Sequence, residues 1–208
     1  MRPSLFAVAV VALRLASCTY VGSDRSVDIT VPDSAGWTCS VQCAYSGTSQ
    51  ERLYSVTGSC IAWGFSPPGA NGDWRRTRGF AMFRLDGVAV PWEEVMSCTL
   101  SYYRTDSAAA PAQIRHCWVD VPRTAPDFLY EQGWTGLVAV DSGTGQGWHH
   151  VPLSVAGTAT VKDYLKNGLW AIGYCWDYPD SLAITASAAG HDSAQRPHLT
   201  IVYSDSAR

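Results

Sequence analysis

From residue 27 to residue 203 the chain is divided into short runs rich in Val, Ile, Leu, Thr, Tyr and Trp, separated by Gly, Pro, Asn and Asp. Strand-like runs fall at residues 27–31, 53–57, 61–65, 79–85, 97–103, 114–121, 137–140, 148–153, 169–176, 182–186 and 199–203. Runs this short cannot build a helical core, so the punctuation predicts antiparallel strands. Pro67-Pro68-Gly69, Asn71-Gly72-Asp73, Asp141-Ser142-Gly143 and Tyr178-Pro179-Asp180 supply turn chemistry between them. One short helix is expected around residues 160–165. There Thr160 and Asp163 read as a capping box, Val161, Tyr164 and Leu165 share a face, and Asn167-Gly168 supplies a stop. About ten strands in one chain imply an all-β, two-sheet antiparallel β-sandwich of jelly-roll type.

A length of 208 residues with 47% apolar residues suits one main core. A net charge of −3 gives no basic footprint for nucleic acid. Nine Trp and ten Tyr against five Phe favour aromatics with a polar end, the side chains of recognition surfaces.

Residues 1–17 carry Arg2, an apolar run from Leu5 to Leu13 and small residues at Ala16 and Ser17, the layout of an export signal. Leu15-Ala16-Ser17-Cys18 is similar to the lipobox of bacterial lipoproteins, in which the cysteine is acylated through its sulfur; Arg14 departs from that pattern. The resemblance implies a secreted or extracellular protein held to a membrane by lipid on Cys18. Residues 18–26 would form a short anchor segment and residues 27–208 the folded domain. With Cys18 set aside, Cys39, Cys43, Cys60, Cys98, Cys117 and Cys175 form an even set, and an exported chain is expected to pair them in up to three disulfides of undetermined connectivity. Zinc is the competing reading of Cys39 and Cys43, but no second close pair of ligands follows them.

The stretches Arg78-Gly79-Phe80-Ala81-Met82-Phe83-Arg84-Leu85 and Val95-Met96-Ser97-Cys98-Thr99-Leu100-Ser101-Tyr102-Tyr103 resemble the core of DNRLRE-type domains. Gly147-Trp148-His149-His150-Val151 and Arg196-Pro197-His198-Leu199-Thr200-Ile201-Val202-Tyr203 are similar to later strands of that family, in the same order. The resemblance implies a secreted β-sandwich module, related to disaggregatase repeats, some members being carbohydrate-binding modules. Cys98 stands where the family commonly has Ala, and the segment from Cys39 to Cys60 replaces its usual opening region. Trp148 and Phe80 fall within the shared motifs and are expected to be structural.

Alternation sets Cys98, Leu100 and Tyr102 against Thr99, Ser101 and Tyr103, and Cys117, Val119 and Val121 against His116, Trp118 and Asp120. With the apolar sets turned inward, Tyr103, His116 and Trp118 would form a platform on which sugar rings stack. Two loops offer further ligand contacts: Trp176, Asp177 and Tyr178 in one, Trp74, Arg75 and Arg76 in the other. Asp177 with Asp180 could ligate calcium, but two acids in a turn are ordinary turn formers and no EF-hand spacing is present. No cofactor is otherwise implied.

Catalytic motifs are missing. The chain has no G-x-S-x-G and no H-E-x-x-H, and the glycines after Asp141 lack the Lys that ends a phosphate loop. Glu93-Glu94 are adjacent and so poorly placed for a glycosidase pair, and His149-His150 show no evident partner. The expectation is a non-catalytic protein that binds extracellular polysaccharide, with a structural, adhesive or assembly component of the cell surface as the first alternative and a polysaccharide lyase or hydrolase, its site assembled from distant strands, as the second.

Overall fold

The computed structural model describes residues 23–33, 37–45, 52–57, 59–66, 74–117, 134–176 and 184–205. Its strands are β1 (Ser23–Thr30), β2 (Thr38–Tyr45), β3 (Arg52–Thr57), β4 (Ile61–Ser66), β5 (Trp74–Arg84), β6 (Val95–Arg104), β7 (Ala112–Cys117), β8 (Trp134–Asp141), β9 (Gly147–Pro152), β10 (Leu169–Cys175), β11 (Ile184–Ala188) and β12 (His198–Asp205). A 3-10 turn (Trp92–Glu94) precedes β6, and helix α1 (Val155–Asn167) lies between β9 and β10. Hydrogen bonding follows β1-β12-β6-β11-β4-β5-β10-β7-β8, with β9 added to β6, and β2, carrying β3, added to β5.

This continuous ladder folds onto itself. Tyr102 of β6 meets Tyr174 of β10 edge-on with centroids 5.2 Å apart, and Trp63 of β4 stacks on Tyr174 at 5.6 Å. Since β6 and β10 share no hydrogen bonds, these contacts run face to face between two layers, β1-β12-β6-β9 and β2-β5-β10-β7-β8. The protein is therefore the expected all-β antiparallel sandwich with a single helix among the described residues. β5 bridges to the β4-β11 pair: its Thr77 faces Gly64 of β4, while Gly79 faces Tyr174 of β10. Only glycine fits at 79, because a Cβ there would lie 2.4 Å from the Ile61 side chain. Buried Trp63, Trp170, Tyr102, Tyr174, Phe80 and Phe83 fill the interior, each burial contributing about 1.5–3 kcal/mol.

The helix is longer than residues 160–165 and is capped elsewhere. Ser154, not Thr160, is the N-cap; its hydroxyl accepts the Gly157 N–H at 3.0 Å. Thr160 instead donates to the Gly157 carbonyl at 2.7 Å and accepts the Trp170 indole N–H at 3.1 Å. The small residues Ala156, Gly157, Thr158 and Ala159 carry no apolar stripe, which is why the first turns leave no periodic signal. The stop is as expected: Gly168, at φ 97°, donates to the Tyr164 carbonyl. Val161 is buried, and Tyr164 and Leu165 pack against the core.

Residues 38–45, where no strand is expected, form β2, which pairs with both β3 and β5. The expected disulfides are not formed. Cys39, Cys43, Cys98, Cys117 and Cys175 are buried thiols and Cys60 is an exposed one. Cys39 and Cys43 lie four residues apart in one strand, about 13 Å at the usual rise, well beyond the Cα separation a disulfide tolerates. Cys117 faces Ala171, so Cys175 is likewise four residues removed from it along β10. Cys98 belongs to the other layer, across from Ile201. Burial pushes the thiol of Cys39 up to about 12, and that of Cys98 equally so against the smaller opposing effects of Thr158 and Lys162.

Candidate functional site

The short β9 divides its side chains cleanly between two environments. His149 and Val151 turn inward, whereas Trp148 and His150 turn out with Tyr103 and Ser101, their register partners on β6. Continuing across the sheet, Ser101 faces His198 of β12, which faces Thr30 of β1. One outer face thus carries Trp148, His150, Tyr103, Ser101 and His198.

Trp148 stands at the centre of this group, 41% exposed. Tyr103 meets it edge-on at 5.7 Å and His198 at 5.2 Å, while His150 lies nearly parallel to it, 13° off, at 6.3 Å. The His150 ring is fixed in turn by its Nδ1, 2.9 Å from the buried Ser101 hydroxyl. The result is a solvent-facing aromatic surface whose polar edges are ring nitrogens and hydroxyls. Its chemistry is that of a stacking platform flanked by hydrogen-bonding groups.

Beneath it lies a buried polar lock. The Asp141 carboxylate, at the end of β8, accepts the Tyr102 hydroxyl, the Gly143 N–H at 2.8 Å and His149 Nδ1 at 2.6 Å. His149 Nε2 is 3.0 Å from the Gly145 carbonyl, and its ring stacks on Tyr102. Arg104, fully buried, donates to the carbonyls of Gly143 at 2.9 Å and Ala110 at 3.2 Å, with its guanidinium over the Trp63 ring. Burial, reinforced by the neighbouring Asp141 charge, raises the Tyr102 phenol far above its ordinary range, so it remains a hydrogen-bond donor. Both ring nitrogens of His149 are occupied by protein oxygens. The group is suited to pinning residues 141–147 and the start of β9.

Of the residues expected to bind, Tyr103 lies on this face. His116 does not: it is 4% exposed, packed against the ring of Tyr164 at 5.0 Å, because β7 turns Ala112, Ile114 and His116 to the core and helix α1 covers that end. Trp74, Arg75 and Arg76 are not in a loop. They open the central strand β5, opposite Tyr45, Ala44 and Cys43 of β2, and the alternation there leaves Arg75 exposed and Arg76 half-buried. Trp176 is half-buried against the core rather than displayed. Trp118, Asp177, Tyr178, Asp180 and Cys18 lie outside the described residues. Trp148, expected to be structural, is exposed at the centre of the cluster, and its neighbours His150 and His198 were not anticipated. The signal was present in Trp148-His149-His150, since alternation in a strand must send the first and third residues to one face.

The chain matches no known protein-family model and no curated protein.

Proposed function

We propose that this protein is a non-catalytic extracellular carbohydrate-binding domain, held at a cell surface through its N-terminal segment at Cys18, with the Trp148 face as its binding surface. The observation that carries the reading is the exposed Trp148 ring set among Tyr103, His150 and His198. Pyranose rings present C–H faces that stack on indole and phenol rings, and histidine nitrogens hydrogen-bond the surrounding hydroxyls. The face carries no Lys or Arg among these residues, which suits a neutral polysaccharide better than an acidic one. β1, an edge strand among the described residues, displays Asp24, Arg25 and Asp28, charges that oppose strand-to-strand assembly and disfavour the adhesive reading at that edge.

Affinity electrophoresis through gels containing single neutral or acidic polysaccharides tests this. Retardation by at least one neutral polysaccharide, lost in Trp148→Ala and weakened in Tyr103→Ala, is the expected result. Unretarded migration in every gel, or retardation that survives Trp148→Ala, would overturn it.

A further inference from the structure

The two ends of the β1-β12-β6-β9 layer differ in what they expose. At one end stand Tyr103 and Trp148, paired across β6 and β9. At the other, Ser23 pairs with Asp205, and Tyr203 pairs with Val95, immediately after the Trp92–Glu94 turn. From Val95 to Tyr103 is eight residues of strand, about 26 Å at the usual rise.

The Ser23 end has an apolar feature of its own. The register of β12 on β6 shifts between Val202 and Tyr203, so Met96 has no partner and is aimed outward, 56% exposed. Trp92, 39% exposed, precedes it, and Lys166 at the end of α1 places its ammonium 3.3 Å from the Trp92 ring centre. An exposed indole, a flexible thioether side chain and a long cationic side chain at one end are the residue types that settle at a bilayer interface. Cys18 lies only five residues before Ser23, a reach of at most about 18 Å, so a membrane-bound residue there keeps this end close to the lipid.

We infer that the end bearing Trp92, Met96 and Lys166 rests on the bilayer surface, with the Trp148 platform facing away from it. The inference rests on the N-terminal tether of the proposed function, and not on its glycan ligand. The lipid on Cys18 supplies the anchoring, and partial burial of Trp92 and Met96 fixes which end of the domain meets the bilayer. Glu93 and Glu94 in the turn, with Asp24, Arg25 and Asp205 at the strand ends and Lys166 beside Trp92, give this end no excess of positive charge, so the matching surface is zwitterionic rather than anionic.

The test is hydroxyl-radical footprinting, read by mass spectrometry, of the exported full chain in phosphatidylcholine vesicles, against the Cys18→Ser chain free in solution. Oxidation of Met96 and Trp92 should fall several-fold on the vesicles while that of Trp148 stays unchanged. Equal oxidation of Met96 in both samples, protection of Trp148 instead, or failure of the full chain to co-float with vesicles would each overturn the inference. Glycan retention is measured without vesicles, so failure of the binding reading registers separately.

Discussion

His149 and Trp148 are chain neighbours that face opposite sides of β9: the first holds the Asp141 carboxylate at 2.6 Å inside the sandwich, and the second opens to solvent between Tyr103 and His198. A shift of one residue would exchange them, burying the platform and exposing the lock. The inward residue therefore sets what the outward residue can present. Tyr102→Phe, which removes one donor to Asp141, should destabilise the fold by about 1–3 kcal/mol in urea unfolding. Trp148→Ala should leave the urea midpoint nearly unchanged while abolishing polysaccharide retention. Equal unfolding midpoints for the two variants would contradict this division of roles.

The thiols give a second test. Under native conditions a maleimide should label the Cys60 peptide within minutes and leave those of Cys39, Cys98 and Cys117 unmodified, because burial raises these thiols well above the ordinary range. Added reductant should leave the melting temperature unchanged. A drop of several degrees would show that bridges hold the fold.

His116 makes stability depend on pH. Its burial lowers its proton affinity below that of the unfolded chain, so between the two values the unfolded state binds more protons. Its contribution is complete above the unfolded value of about 6.5 and is lost as pH falls from there toward the lower folded value. Thermal unfolding at successive pH values from 7.5 to about 5 should show this loss, and His116→Phe should flatten the slope. An unchanged slope in the variant would place the acid sensitivity elsewhere.

Ser154→Ala should cost about 1 kcal/mol by removing the N-cap bond to Gly157. Asp163→Ala should leave amide exchange in the first turn of α1 as slow as in the wild type, since Asp163 takes no part in capping that turn. Faster exchange there in Asp163→Ala but not in Ser154→Ala would restore Thr160 and Asp163 as the cap.

Gly190→Ala should be among the most damaging single changes, since its Cβ would fall 1.2 Å from the Ser59 carbonyl oxygen. Both groups are backbone-fixed, so relief requires the His191 segment to move, which would break the hydrogen bond from the His191 N–H to Thr38 at 2.8 Å. Wild-type expression and melting temperature in the variant would refute that packing.

How much of this is legible in the residues follows from the kind of pattern each element carries. Strands such as β6 and β10 announce themselves through β-branched and aromatic runs, and the sandwich follows from their number. β2 has the same period, Thr38, Ser40 and Gln42 alternating with Cys39, Val41 and Cys43, but it is poor in the β-branched and aromatic residues that make such a run stand out. Facing is the harder inference. In β7 both faces near Cys117 are buried, so polarity alone places His116 wrongly; α1, whose first turns are small and unpatterned, is what covers it. The platform needed the register of three strands, since Trp148, Tyr103 and His198 are far apart in the chain and meet only once β9, β6 and β12 are laid side by side.

The eight-residue pairing of β1 with β12 has a mechanical meaning. A pull entering at Ser23 and resisted at the Tyr103 end runs along the strands, across their hydrogen bonds. Such a load is shared by the whole β1-β12 ladder at once, in shear, whereas a peeling force would break the same bonds one after another. The edge strand that leads to the N-terminal segment is thereby set as a clamp against drag on the far end of the domain.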